Sequence, residues 1–130
     1  MRKLKKVLSA VLVAAFMLCC ANQGTIFAAV NGTVTGTLNE KSVYGKLTCN
    51  EAGHHLAVVL NYNTMSTLNG SVVPHSVKAD AFGNSTQVSK TAYAGMHEST
   101  NFLNVVGYVD DSVKRNFNVS SYGSTIREYW

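Results

Sequence analysis

The sequence predicts an all-β fold, a small antiparallel β-sandwich of seven or eight short strands, and three observations carry that expectation. From Val30 onward there are 14 Val, 10 Thr and 1 Ile against 6 Ala and 6 Leu. β-Branched side chains lose rotamers on a helix and pack well on a pleated surface. Apolar and polar residues alternate in short runs, whereas no i, i+3, i+4, i+7 pattern persists. Turn-forming clusters recur roughly every eight to twelve residues, the rhythm of a sandwich or small barrel.

The first hairpin is expected from Thr33–Leu38 and Ser42–Cys49 around a turn at Asn39, Glu40 and Lys41. Val34, Gly36 and Leu38 fall on one face of its first strand, and Val43, Gly45, Leu47 and Cys49 on one face of its second. Asn50 to Gly53 has turn chemistry. His55–Tyr62 follows, apolar on both faces and so expected at the centre of a sheet. Residues 65–84 are less regular; a strand over Val72–Ala79 would lie at an edge because it contains Pro74. Thr86–Tyr93 reads as a strand and Ala94–Thr100 as a loop. Phe102–Val109 is apolar on both sides, Asp110 and Asp111 make a turn, and Val113–Tyr122 alternates with Val113, Phe117 and Val119 inward. Ser124–Trp130 supplies a last strand or a frayed tail.

The N-terminus predicts export. Four cations fall within Met1–Lys6, an apolar run interrupted only by Ser9 extends from Val7 to Cys20, and small residues lead to Ala28 and Ala29. These are the three parts of a secretory signal peptide, and the run is shorter than the roughly 20 residues of a membrane span. The expected organisation is a signal peptide over 1–29, cleaved after Ala28 or Ala29, and a single β-sandwich domain over 30–130. Lipid attachment at Cys19 or Cys20 is an alternative, although Leu18 stands where a small residue normally precedes such a cysteine.

Removing the leader changes the charge balance. The chain has 11 basic and 7 acidic side chains, and the seven cations beyond Lys6 equal the seven acids. Without clustered excess Lys and Arg, nucleic-acid binding is not expected. Only Cys49 remains beyond the leader, so no internal disulfide is available. Its position beside Val43 and Leu47 on one face predicts a small buried hydrophobe.

Ile26–Ala29, the strand Gly32–Leu38 and the stretch Phe117–Tyr122 resemble small secreted β-rich proteins of Gram-positive bacteria. That resemblance implies an exported bacterial β-domain and no particular activity. Chain size and the terminal Trp130 are loosely similar to bacteriocins of the lactococcin 972 type, without their glycine- and tryptophan-rich start.

No motif carries catalysis. His54 and His55 point to opposite faces if they lie on a strand, and His97-Glu98 lacks the second histidine of His-Glu-x-x-His, Asn101 standing there instead. The sequence has no Gly-x-Ser-x-Gly, phosphate loop or calcium-loop spacing. No catalytic residue, metal or cofactor is therefore expected. Phe102 and Phe117 read as core, whereas Tyr44 and Tyr122 share faces with Ser, Thr, Lys or Asn. Tyrosine and tryptophan combine a flat apolar ring with a polar tip, which suits protein interfaces and sugar stacking. The expected binding residues are Tyr44, Tyr122, Tyr129 and Trp130.

The function expected is that of a secreted or cell-surface, non-enzymatic module binding an extracellular protein or glycan, without stable membrane insertion after cleavage. The alternatives are a bacteriocin-like antagonist and a hydrolase assembled from scattered His, Asp and Ser. The hydrolase would need His54, His75 or His97 within reach of both a carboxylate and a nucleophile.

Overall fold

The computed structural model describes residues 29–130; the expected leader otherwise lies outside the described residues. Eight antiparallel strands form two four-stranded sheets: β1 (Gly32–Leu38), β2 (Ser42–Cys49), β3 (Leu56–Ser66), β4 (Val72–Ala81), β5 (Gln87–Tyr93), β6 (Glu98–Val109), β7 (Ser112–Val119) and β8 (Ser124–Tyr129). The first sheet has the order β5-β2-β1-β8 and the second β4-β3-β6-β7. The architecture is the predicted all-β sandwich.

Period-two alternation produces the core. From the first sheet Val34, Leu38, Val43 and Leu47 are fully buried; Leu56, Val58, Leu60, Leu103 and Val105 meet them from the second. Cys49 is buried among them with a free thiol. Strand β3, apolar on both faces over Leu56–Leu60, is paired on both sides, by β4 and β6. Pro74 lies in β4, at the edge of its sheet, where its missing N–H interrupts no ladder.

Three glycines let the sheets approach. A Cβ at Gly107 would lie 2.5 Å from Val34 Cγ2 and 2.8 Å from Leu47 Cδ1. Added methyls at Gly36 and Gly45 would meet Val105 and Leu60 at 2.5 and 2.3 Å. In each case the position of the missing side chain is filled from the opposite sheet.

Two bulges alter the expected pattern. Ala94–Thr100 reads as a loop in the sequence, but β6 starts at Glu98, and Ser66, Met65 and Thr64 pair with Glu98, Ser99 and Thr100. Asn101 is the extra residue between the Thr64–Thr100 and Asn63–Phe102 pairs. Phe102, read as core, pairs with Asn63 on the outer face while Leu103 fills the interior. In β7, Arg115 pairs with Gly107 but Val113 with Tyr108, leaving Lys114 unmatched. That shift turns Val113 outward to 53% exposure, against the inward expectation, while Phe117 and Val119 pack inward. A bulge reverses the phase of the strand beyond it.

The Asp110-Asp111 turn has φ of 50° and 65°, the left-handed pair of a two-residue hairpin of type I′. Among the described residues no helix is long and apolar enough to cross a membrane.

Candidate functional site

The outer face of the first sheet is built from the polar half of each alternating strand. Thr33, Thr35 and Thr37 run along β1, and on its neighbours their partners are Thr48, Lys46 and Tyr44 from β2 and Tyr129, Arg127 and Thr125 from β8. Strand β5 extends the rows with Gln87, Ser89, Thr91 and Tyr93. None of these side chains is acidic, because Glu128, the one acid in these four strands, is in register with buried Val34 and faces inward. The threonine hydroxyls are linked in pairs, Thr33 to Thr48 at 2.7 Å and Thr37 to Thr125 at 2.8 Å.

At the centre of this face Lys46 and Arg127 flank Thr35 in one row. Two strand spacings separate them, about 10 Å. Among the described residues neither forms an ion pair. The hydrocarbon stems of long cationic side chains commonly lie over such positions; Thr35 is only 8% exposed although it faces outward. Tyr44 stands one row to one side of the cations and Tyr129 one row to the other.

The four residues expected to bind therefore divide. Tyr44, half-buried, and Tyr129, 69% exposed, share the outer face at opposite corners of the cationic row. Tyr122 is not on β7, which ends at Val119; it lies in the β7–β8 connection, and its hydroxyl donates to the Thr100 carbonyl. Trp130 pairs with Gly32 through both backbone groups, and its half-buried ring packs against the core, with Lys114 Nζ 5.6 Å from the ring centre. Its place is the inward side of the β1–β8 edge, because Gly32 is in phase with Val34. Lys46 and Arg127 are not singled out by the sequence. Lys46 stands between Gly45 and Leu47, but Arg127 is followed by Glu128, and the convergence of the two cations requires β2 and β8 to flank β1.

The second concentration of chemistry lies where β2–β3, β4 and the β6–β7 turn meet. His54 sits between Asp110, at 2.6 Å from Nδ1, and Glu51, at 2.8 Å from Nε2. The contacts with Glu51 and Asp110 raise its pKa above the ordinary 6.5. His55 Nε2 lies 2.7 Å from Asp80, its backbone N–H donates to Asp110 at 3.0 Å, and its ring stacks on Phe82 at 4.1 Å. The His55 contact and Lys78 hold Asp80 below its ordinary pKa, and His54 with the His55 N–H does the same for Asp110. The chemistry is that of interlocked ion pairs: His54 meets two carboxylates and no hydroxyl. His75 shows the converse, 2.7 Å from the Thr64 hydroxyl and stacked on Tyr62, without a carboxylate beside it. Among the described residues no group of His, Cys, Asp and Glu is arranged to hold a metal ion.

Comparisons of this chain with protein-family models, curated proteins and solved structures found no match.

Proposed function

We propose that this protein is an exported, non-enzymatic binding module that holds an anionic glycan on the outer face of its first sheet. The observation that carries the reading is an acid-free face in which Lys46 and Arg127 flank Thr35, with Tyr44 and Tyr129 on either side. Hydroxyls and tyrosine rings suit a sugar polymer, the rings covering its C–H faces and the threonines exchanging hydrogen bonds with its hydroxyls. The two cations select polymers that carry carboxylate, sulfate or phosphate. From Tyr44 to Tyr129 the face runs about 16 Å, the diagonal of two strand spacings and four residues, so an extended oligomer spans it better than a single sugar. Export rests on the basic start, the Val7–Cys20 apolar run and the small residues before Val30.

The test is binding of the purified protein to heparin and hyaluronan, with neutral dextran as the contrast. Each unit charge within about 4 Å contributes about 1 kcal/mol in a water-like dielectric. Replacing both Lys46 and Arg127 by Gln should therefore weaken polyanion binding about 10- to 30-fold. Raising salt toward 1 M shortens the screening length to about 3 Å and should have a similar effect. Polyanion binding unchanged by the double substitution, or dextran binding that the double substitution weakens equally, would refute the assignment. A protein ligand would instead appear as retention of a proteinaceous partner with no response to either polyanion.

A further inference from the structure

We propose a second ligand site, on the outer face of the opposite sheet, that takes a neutral sugar residue. The site is a groove of about 320 Å³ lined by Asn61, Asn63, Pro74, Ser76 and Phe102, and by Tyr62 and His75, which alternate with them along β3 and β4. Its geometry follows from register: Pro74, Asn63 and Phe102 form one row across β4, β3 and β6. Asn63 is thus the floor between two apolar walls, whose backbones stand about 10 Å apart. Phe102 occupies this wall because the Asn101 bulge sets the phase of β6.

The adjoining row is a chain of polar side chains across all four strands. Ser76 Oγ donates to Asn61 Oδ1 at 2.8 Å, and Asn61 Nδ2 donates to Asn104 Oδ1 at 3.0 Å. Asn104 Nδ2 donates to Asn116 at 2.6 Å and to Asn118 at 3.0 Å. Each link fixes which end of the next amide faces which way. Asn116 and Asn118 accept through oxygen, so their amide donors remain for solvent or a ligand, and both residues are exposed. Asn63 takes no part in this row among the described residues, leaving its donors and acceptor for the groove.

The groove's chemistry identifies the ligand class. No carboxylate, Lys or Arg lines it, and the ring of His75 is turned to the Thr64 hydroxyl and Tyr62, so recognition does not rest on a charged partner. An extended peptide would bind by adding a strand, but β3, beneath the groove, is already paired on both sides, and at the free edge of β4 Pro74 has no N–H to offer an added strand. What the groove presents is the uncommitted amide of Asn63 and the oriented amide of Asn61 beside an aromatic ring. Amides match the paired donor and acceptor character of neighbouring sugar hydroxyls or an acetamido group, and Phe102 matches a pyranose C–H face. Nothing here depends on Lys46, Arg127 or the other sheet.

The experiment titrates the exported protein with chitotetraose and cellotetraose as neutral probes. Saturable binding by at least one is expected, with shifts of the Asn63, Asn116 and Asn118 side-chain amide resonances in the unsubstituted protein. Phe102→Ala and Asn63→Ala should each weaken that binding about tenfold. Lys46→Gln with Arg127→Gln should leave it unchanged, which separates this site from the polyanion face. The proposal is overturned if neither probe saturates, if those amides stay still while a probe binds, or if the double Gln variant loses the binding. Should Phe102→Ala unfold the protein, the amide shifts and Phe102→Leu, which keeps an apolar wall without a ring, decide the question.

Discussion

Tyr122 shows how a single side chain can be exposed and still serve structure. Half its surface faces solvent, yet its hydroxyl donates to the Thr100 carbonyl in β6 and so ties down the β7–β8 connection. Thr100 itself is fully buried, its N–H donating to the Glu40 carbonyl at 2.8 Å and its hydroxyl to that of Asn39. The contact thus extends to the β1–β2 turn. Tyr122→Phe removes one hydrogen bond and nothing else, a loss of about 1 kcal/mol. For a domain near 100 residues that should lower Tm by about 4–8 °C, measured by thermal denaturation. Tyr44→Phe, on the outer sheet face, should leave Tm nearly unchanged, because the ring is kept and the Tyr44 hydroxyl makes no hydrogen bond among the described residues. The two tyrosines look alike in sequence, each sharing its predicted face with polar neighbours; only the fold separates a latch from a free ring.

At the scale of the strand, period two makes most of the fold legible, and the exceptions have one cause. Val34, Leu38, Val43 and Leu47 can be placed inside from alternation alone, since that pattern is local to each strand. Phe102 and Val113 depart from their expected faces because Asn101 and Lys114 each break the phase, and nothing nearby in the chain marks either bulge. Pairing across long separations is equally hidden: Thr37 bonds Thr125, 88 residues away, and this strand pairing brings Arg127 beside the Lys46 row. The edges of the sandwich have a logic of their own. Arg115 on β7 and Glu128 on β8 are in register with core positions, yet they are charged and approach within 3.9 Å across the open side. Both are about two-fifths exposed, so the pair itself contributes at most about 1 kcal/mol. Inward charges on edge strands discourage pairing with another molecule. Replacing both by Val should therefore cost little in Tm but produce self-association, seen by light scattering as a concentration-dependent rise in mass. A variant that remains monomeric at high concentration would show that the charges do not guard this edge.

The whole molecule has its titratable lock where the β2–β3 loop, the end of β4 and the β6–β7 turn meet. His54 bridges Glu51 and Asp110, while His55 contacts Asp80, with Asp111 3.3 Å from its other ring nitrogen and Lys78 3.3 Å from Asp80. With no disulfide available among the described residues, these contacts and the core hold the connections together. Their linkage to pH acts in two directions. The His54 pKa is raised by its contacts with Glu51 and Asp110, so its contribution is complete below the unfolded value near 6.5 and is lost as pH climbs through the higher folded value. The Asp80 and Asp110 values are lowered, so their contributions are complete above the unfolded value near 3.8 and are lost as pH falls through the lower folded values. Stability should therefore be greatest between about pH 4 and 6.5 and decline on both sides. Because Glu51 and Asp110 are more than half exposed, salt should flatten the profile. Glu51→Gln with Asp110→Asn removes both charges from His54, and the new amide keeps an oxygen in place for the His55 N–H. This double variant should lose most of the decline above pH 6.5, measured by denaturant melts across the range, while the decline attributed to Asp80 on the acid side persists. An alkaline decline of undiminished size in that variant would mean that His54 is not its source.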